Sequence, residues 1–314
     1  MRAAQRSSID RPLFIVGCPR SGTGILHQLV RLHPSVAWIT PFSNWVCGKP
    51  WFRSVPPTAA RAVETLLHRM PKRLLPPLLR GPYDGSLGLP HTFETHEGHS
   101  IWNRVVRDHA DHHVTDEAAT SARRADLRDV VRWHLAYHNR PRFVCKTPRN
   151  VFRLRFLQAI FPSLKVVHLV RDGRAVAASI LKRRLHDRGR LDEWWGARPP
   201  GWHSRLDEPP VQQAAWTWRQ SLEHARAAAS HLGDDQYLEL RYESLTTDPE
   251  STLHTLFSWA DLDPDAFFTA DRAAQLDQIH PARPTWKSRL DAEQKALLEE
   301  ALGPTLRRDG YLDP

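Results

Sequence analysis

The chain has 314 residues, of which 41% are hydrophobic, and its formal net charge is +9. This length and composition fit a globular protein with a sizeable core, and no apolar run approaches the ~20 residues of a membrane span. The N-terminus lacks the apolar stretch of a secretory signal. The three cysteines, Cys18, Cys47 and Cys145, fit neither a disulfide framework nor a zinc site. We therefore expect a cytoplasmic protein without a transmembrane span.

Arginine carries most of the positive charge, and arginine pairs with phosphate and sulfate better than lysine does. Such a surface attracts anionic partners. No recognised nucleic-acid-binding motif is present, so nucleic acid is not expected among them. Nucleotides, acidic glycans and anionic lipid headgroups remain as candidate partners.

The first predicted unit is a strand at 13–17, a glycine-rich loop and a helix at 22–32. The loop glycines allow left-handed backbone angles and a close approach to a ligand. The helix directs its unpaired N–H groups and its dipole at the loop, where Arg20, Ser21 and Thr23 add a charge and two hydroxyls. The unit predicts a cradle for an oxyanion.

This loop nearly matches the nucleotide-binding pattern Gly-x4-Gly-Lys-Ser/Thr. When Gly17 and Gly22 are taken as its glycines, Thr23 and Gly24 replace the lysine and the magnesium-binding hydroxyl, and Arg20 lies inside the loop. We therefore expect the loop to bind phosphate or sulfate without a metal ligand.

A short strand is predicted at 36–39. The following stretch, 41–100, is rich in proline and aromatic residues and is expected to be irregular apart from a helix at 58–70. Long insertions of this kind often shape binding sites. A long helix is predicted at 116–139 from its apolar spacing.

Two further strands are predicted at 142–146 and 165–170, each followed by a helix, and a helix at 209–232 precedes a strand at 236–240. Strands that alternate with helices indicate an α/β fold with a parallel sheet and helices on both faces. We expect a single domain, 1–314, with its core at about 12–40 and 140–260, an insertion at about 41–125 and a helical C-terminal segment at about 261–314.

In open α/β sheets, ligands bind at the carboxyl ends of the strands. Three cations, Arg20, Lys146 and Arg171, lie at such ends, which predicts a ligand with several anionic groups. Asp172 leaves open that Arg171 closes a turn in a local ion pair. The histidines at 96, 99, 109, 112 and 113 match no familiar zinc spacing, and no metal is expected.

Two of these segments resemble the motifs of sulfotransferases that use 3′-phosphoadenosine 5′-phosphosulfate (PAPS). Their 5′-phosphosulfate loop is similar to Cys18–Thr23, and their 3′-phosphate motif is similar to Val167–Ser179. In that motif an arginine and a serine grip the 3′-phosphate, which maps onto Arg171 and Ser179. The resemblance implies a P-loop NTPase-like sulfotransferase fold, PAPS as donor and adenosine 3′,5′-bisphosphate (PAP) as product.

Weaker resemblances complete the implied site. Lys146 resembles the lysine that reaches the sulfo group, Tyr242 resembles a tyrosine near the adenine, and Trp286-Lys287 gives a fainter similarity. The implied cofactor-binding set is Pro19, Arg20, Ser21, Gly22, Thr23, Gly24, Arg171, Ser179, Tyr242, Trp286 and Lys287.

The general base departs from the family pattern, because Pro148 stands where many members have a catalytic histidine. Other members use a glutamate from the insertion, so we expect the base among Glu94, His96 and Glu97. We favour Glu97, since Gly98 gives the chain room to turn beside it. Partial burial is expected to raise its pKa towards the useful range. Arg20 and Lys146 complete the expected catalytic set.

The resemblance implies a metal-independent, in-line transfer of a sulfo group to a hydroxyl or amine of an unidentified small-molecule, carbohydrate or lipid acceptor. Two alternatives stay open. One is a nucleotide- or glycan-binding protein on an inactive sulfotransferase scaffold, and the other is a small-molecule kinase with a degenerate P-loop. The oligomeric state is also open, with a homodimer as one option.

Overall fold

The structure is a computed structural model. It describes residues 9–68, 95–106, 111–269, 272, 275–277, 279–281 and 284–313. Within these ranges, five strands form a parallel sheet in the order β2-β3-β1-β4-β5. The strands are β1 (Leu13–Val16), β2 (Val36–Trp38), β3 (Arg142–Lys146), β4 (Lys165–Val170) and β5 (Tyr237–Arg241). The predicted α/β class with a parallel sheet is therefore confirmed.

The helices alternate with these strands. Before β3 lie α1 (Thr23–Val30), α2 (Pro41–Cys47), α3 (Pro57–His68), α4 (His99–Val106) and α5 (Ser121–His138). Between β3 and β5 lie α6 (Leu154–Ile160), α7 (Gly173–Arg188) and α8 (Pro210–Ala229). After β5 the described helices are α9 (Tyr242–Thr247), α10 (Pro249–Trp259), α11 (Trp286–Arg289) and α12 (Ala292–Arg308).

Both faces of the sheet are buried along β1 to β4, where successive side chains point to opposite faces. In β1, Phe14 and Val16 pack into the core that contains α2 to α6. Leu13 and Ile15 pack into the opposite core with α1, α9 and α10. A third core, formed by α7, α8 and α12, lies beside the end of β4. Burial on both sides explains why the strands read as continuous apolar runs.

The strand register brings three loops to one edge of the sheet. Ile15 is paired with Lys146 of β3 and with Val167 of β4. The loop after β1 therefore begins beside the last residue of β3. Since all strands run in parallel, the turn after β4 opens at the same edge.

The helix predicted at 58–70 is present as α3, but the expectation of irregular structure is wrong at residues 41–47, which form α2. Pro41 opens α2 at a position where its fixed φ suits a helix. Thr40 accepts from Ser43 N at 3.0 Å, and Ser43 Oγ accepts from Thr40 N at 2.8 Å. This reciprocal cap stabilises the start of α2. The helix predicted from residue 116 begins at Ser121, capped by Thr120. Most of the proline-rich stretch, 69–94, lies outside the described residues.

Candidate active site

The loop after β1 has the backbone that the glycines predicted. Gly17, Arg20 and Gly22 have φ of 154°, 76° and 94°. A Cβ on Gly22 would lie 2.2 Å from the Tyr242 ring, so no larger residue fits without displacing that ring. Ser21 Oγ is buried and has no hydrogen-bond partner among the described residues. A strained loop with an unsatisfied buried hydroxyl, placed before α1, suits a bound oxyanion.

The two predicted anion-binding motifs meet directly. Arg20 Nε donates to Ser179 Oγ at 3.1 Å, although the residues are 159 positions apart. Arg171 Nη1 donates to Arg20 O at 3.4 Å, and its guanidinium carbon lies 4.3 Å from the centroid of the Tyr242 ring. Arg171 Nε is buried without a hydrogen-bond partner in the described parts of the chain. Arg20, Ser179 and Arg171 therefore frame one site, in which Arg171 Nε is a donor without a partner among the described residues.

The open alternative for Arg171, a local ion pair with Asp172, is wrong. Asp172 accepts from Arg174 N at 2.9 Å as the N-cap of α7 and forms an ion pair with the Arg174 side chain at 2.8 Å. Its own N–H donates to Glu243 Oε1 at 3.1 Å. Because Asp172 is engaged with the helix that follows it, the Arg171 guanidinium keeps donors for a ligand.

The C-terminal candidates lie beside Arg174 in the turn after β4. Trp286 packs beneath Arg174, whose guanidinium carbon is 4.6 Å from the ring centroid. Trp286 thus supports the turn after β4 through Arg174. The Lys287 side chain is exposed, and its ammonium lies 6.0 Å from the same ring. Their role as cofactor contacts stays a prediction.

The second part of the site is an ion pair at the end of β3. Lys146, which is 6% exposed, donates from Nζ to Glu97 Oε1 at 2.5 Å. Thr147 Oγ1 donates to Glu97 O at 2.5 Å and accepts from Trp102 Nε1 at 3.1 Å. Gly98 has a φ of 74°, as expected for the turn beside Glu97. These contacts fix the Glu97 segment against the strand end.

The expectation of a raised pKa for Glu97 is wrong. Burial does raise the pKa of this carboxyl, but the charge and hydrogen bond of Lys146 outweigh burial, and the pKa lies below its ordinary value. The partner comes from a distant part of the sequence, which explains why local reasoning missed it.

The alternative bases have different surroundings. Burial lowers the pKa of His96 to about 4. Its Nδ1 accepts from Gly98 N at 2.9 Å, and its backbone N–H donates to Ile39 O at 2.8 Å. His96 is therefore engaged in holding the turn. Glu94 lies outside the described residues.

Sequence reasoning also missed groups that border this ion pair. Thr147 was read only as part of a motif, and the arginines Arg149 and Arg153 were not considered. Both arginines come shortly after a strand end, which is the signal that the sequence offers, but their place beside Glu97 arises only in the folded chain. Among the described residues, no group of three His, Cys, Asp or Glu side chains could hold a metal ion. No helix in the described ranges is long and apolar enough to cross a membrane.

A parallel α/β sheet with a glycine-rich loop before a helix and cations at three adjoining strand ends is typical of enzymes that handle phosphorylated ligands. Comparison with known proteins narrows this class. The chain belongs to the sulfotransferase family, because the model of that family matches residues 12–266.

Curated relatives carry the same activity in their names. Omega-hydroxy-beta-dihydromenaquinone-9 sulfotransferase Stf3 of Mycobacterium bovis is 27% identical over 99% of this chain and 78% of its own length. Protein-tyrosine sulfotransferase 2 of Gallus gallus is 24% identical over 82% of this chain. The match covers 54% of the Gallus protein, so the chain spans about half the length of that relative.

Solved structures show the same fold. Sulfotransferase STF9 from Mycobacterium avium superposes with a TM-score of 0.58 and 18% identity, covering 97% of this chain and 77% of that one. STF1 from Mycobacterium tuberculosis gives a TM-score of 0.55 and 18% identity over 95% of this chain and 78% of that one.

Proposed function

We propose that this protein transfers a sulfo group from PAPS to a hydroxyl or amine of an acceptor. The observation that carries the proposal is the meeting of Arg20, Ser179 and Arg171, which joins two distant anion-binding motifs into one site. Family membership supports sulfo transfer. The paired cations support a donor with phosphate groups at two positions.

The described residues fit such a donor. The loop N–H groups and the unpartnered Ser21 hydroxyl would hold the 5′ side, and Arg171 with Ser179 would hold the 3′-phosphate. Tyr242 packs against Gly22 and Arg171 and would border the adenosine. A charge-assisted hydrogen bond contributes about 1.5–3 kcal/mol, so one arginine can distinguish ligands with and without the 3′-phosphate.

Glu97 and Lys146 would perform the proton and charge chemistry. PAPS supplies an activated sulfo group when bound. Lys146 would turn from Glu97 towards the negative charge of that group and of the leaving phosphate. Glu97 would then lose the partner that lowers its pKa, and as a stronger base it would accept the proton of the acceptor hydroxyl. Donors aimed at developing charge contribute about 10²–10³-fold each in comparable sites.

Family membership indicates the chemical class of the acceptor only broadly. Relatives are named for a hydroxylated menaquinone, for protein tyrosine and for carbohydrate. We propose a small-molecule, lipid, carbohydrate or protein acceptor that presents a hydroxyl near Glu97. The cations at the strand ends replace the acidic ligands that magnesium prefers, so the transfer should need no divalent metal.

The test is turnover of ³⁵S-labelled PAPS with a panel of phenols, alcohols, amines and sugars, in buffer with EDTA. Labelled acceptor together with stoichiometric PAP is the expected result. PAP binding without turnover of any acceptor would favour an inactive binding scaffold. Magnesium-dependent phosphoryl transfer from ATP would favour the kinase alternative.

A further inference from the structure

Three arginines form a group beside Glu97 that the proposed transfer does not use. We call Arg149, Arg153 and Arg198 the cationic cluster. Arg149 and Arg153 follow β3, and Arg198 comes from the segment between α7 and α8. The sheet edge therefore gathers three guanidinium groups from two separate parts of the chain.

A continuous set of contacts joins this cluster to the Glu97 turn. Trp102, which binds Thr147 beside Glu97, lies with its ring centroid 5.8 Å from the Arg153 guanidinium carbon. Arg153 Nε donates to His112 O at 3.1 Å. His112 Nδ1 in turn accepts from Arg198 N at 2.8 Å. The cluster is thus attached to the same scaffold as Glu97.

The charges of the cluster are poorly compensated. Arg153 is 4% exposed, and its Nη1 has no hydrogen-bond partner among the described residues. Burial lowers the pKa of Arg153 to about 10, with Arg149 adding to the effect. Burial and Arg198 also lower the pKa of Arg149, and Glu97 opposes them. Buried charges without counter-charges are costly, so this arrangement is suited to an incoming anion.

The cationic cluster and the donor-side residues have different neighbours. Lys146 contacts Oε1 of Glu97 at 2.5 Å, and His99 Nε2 lies 3.5 Å from Oε2. The cluster contacts Trp102 of α4 and His112, whereas Arg20, Ser179 and Arg171 contact one another and Tyr242. The cluster is therefore built on the α4 side of the site and not on the residues that would hold the donor phosphates.

We propose that the cationic cluster is an acceptor subsite that binds an oxyanion, so that the preferred acceptors carry a carboxylate, sulfate or phosphate close to the hydroxyl that Glu97 deprotonates. This inference rests on the proposed function, because it assigns the anionic group of the acceptor to the cluster beside Glu97, the proposed base. Arg149 is half-buried, more accessible than Arg153, and has no hydrogen bond or ion pair within the described residues.

The test is calorimetric binding of three matched phenols to the PAP-saturated protein: 4-hydroxyphenylacetate, (4-hydroxyphenyl)methanesulfonate and the neutral 4-hydroxyphenylacetamide. We expect one or both anions to bind at least about tenfold more tightly than the amide, and the two anions separate a carboxylate site from a sulfate- or phosphate-type site. Arg149→Gln should remove this preference. Arg128→Gln, a half-buried arginine that donates to Ile160 O at the other end of α6, should retain it.

Arg153→Lys keeps the charge of the buried arginine and serves as a second variant, which should weaken binding of the anionic phenols less than Arg149→Gln does. The affinity for PAP and the KM for PAPS should stay unchanged in both variants. Equal binding of all three phenols, detectable binding of none, or loss of PAP or PAPS affinity in Arg149→Gln would overturn the proposal. Failure of the wild-type protein to bind PAP would instead refute the proposed function.

Discussion

The loop after β1 and the turn around Glu97 meet at one edge of the sheet, but the sequence builds them in different ways. The loop is local: its conformation follows from Gly17 and Gly22, and the strand and helix beside it are contiguous in the chain. The Glu97 turn is held by Thr147, Trp102 and Lys146, which come from other elements. A local motif such as the loop can be recognised from residue spacing alone. The Glu97 turn depends on contacts that form only in the folded chain.

The loop side and the Glu97 side also differ in their proposed roles, which are donor binding and turnover. Among the described residues, two donors on the loop side have no hydrogen-bond partner, Ser21 Oγ and Arg171 Nε. The Glu97 side holds its charges in an ion pair, which the proposed mechanism rearranges. We therefore expect substitutions on the loop side to change donor affinity and substitutions on the Glu97 side to change turnover.

The largest effect should come from Glu97→Gln, which removes the proposed base. We expect kcat to fall by about 10²-fold or more, while the dissociation constant for PAP stays nearly the same. Glu94→Gln is the matched control, since it removes a neighbouring carboxylate, and it should remain active. Full activity of Glu97→Gln together with loss of activity in His96→Ala would assign the base to His96.

Arg171→Ala tests the loop side. Loss of the guanidinium should weaken PAP binding by about 10–100-fold, the equivalent of one charge-assisted hydrogen bond. Adenosine 5′-monophosphate, which lacks the 3′-phosphate, should bind the variant and the wild type about equally. Equal losses for the two ligands, measured by calorimetry, would show that Arg171 does not contact the 3′-phosphate.

Gly22→Ala tests whether the loop conformation is enforced. An alanine here needs a left-handed backbone, which costs about 1–2 kcal/mol, and its Cβ would collide with the Tyr242 ring 2.2 Å away. Gly189→Ala is the matched control, because Gly189 has a φ of 71° and no atom within 4 Å of its added Cβ. The free energy of unfolding in urea should fall by about 1–3 kcal/mol more for Gly22→Ala than for the control. Equal losses would mean that Tyr242 moves freely.

The smallest effect concerns the pH dependence of stability. Because the pKa of Glu97 is lowered in the folded state, its pair with Lys146 stabilises the native protein above the ordinary carboxyl pKa of 4.5, and this contribution is lost as the pH falls through the folded-state value. The free energy of unfolding of the wild type should exceed that of Glu97→Gln at pH 7, and the gap should narrow below pH 4.5. A gap that widens on acidification would contradict the ion pair.

The fold was largely predictable, because buried parallel strands appear in the sequence as continuous apolar runs. The strands at 142–146 and 165–170 were predicted with the bounds that the structure shows. The prediction failed at α2, where prolines suggested irregular structure although Thr40, Pro41 and Ser43 form a helix start.

Candidate site residues could be predicted from the sequence where the signal lies in a short local segment. Lys146 and Arg171 could be singled out as candidates because each lies at a strand end. The cationic cluster and the lowered pKa of Glu97 could not be found, since both arise from side chains brought together by folding. Glu97 and Lys146 are 49 positions apart, and no local pattern links them.

The central claim is that cations at neighbouring strand ends bind a 3′,5′-phosphorylated adenosine without a metal. The most direct measurement is a calorimetric titration of the protein with PAP and with magnesium ATP, each with and without EDTA. The account predicts that PAP binds equally well with EDTA, and more tightly than ATP under both conditions. Tight ATP binding that EDTA abolishes, with no detectable binding of PAP, would contradict the account.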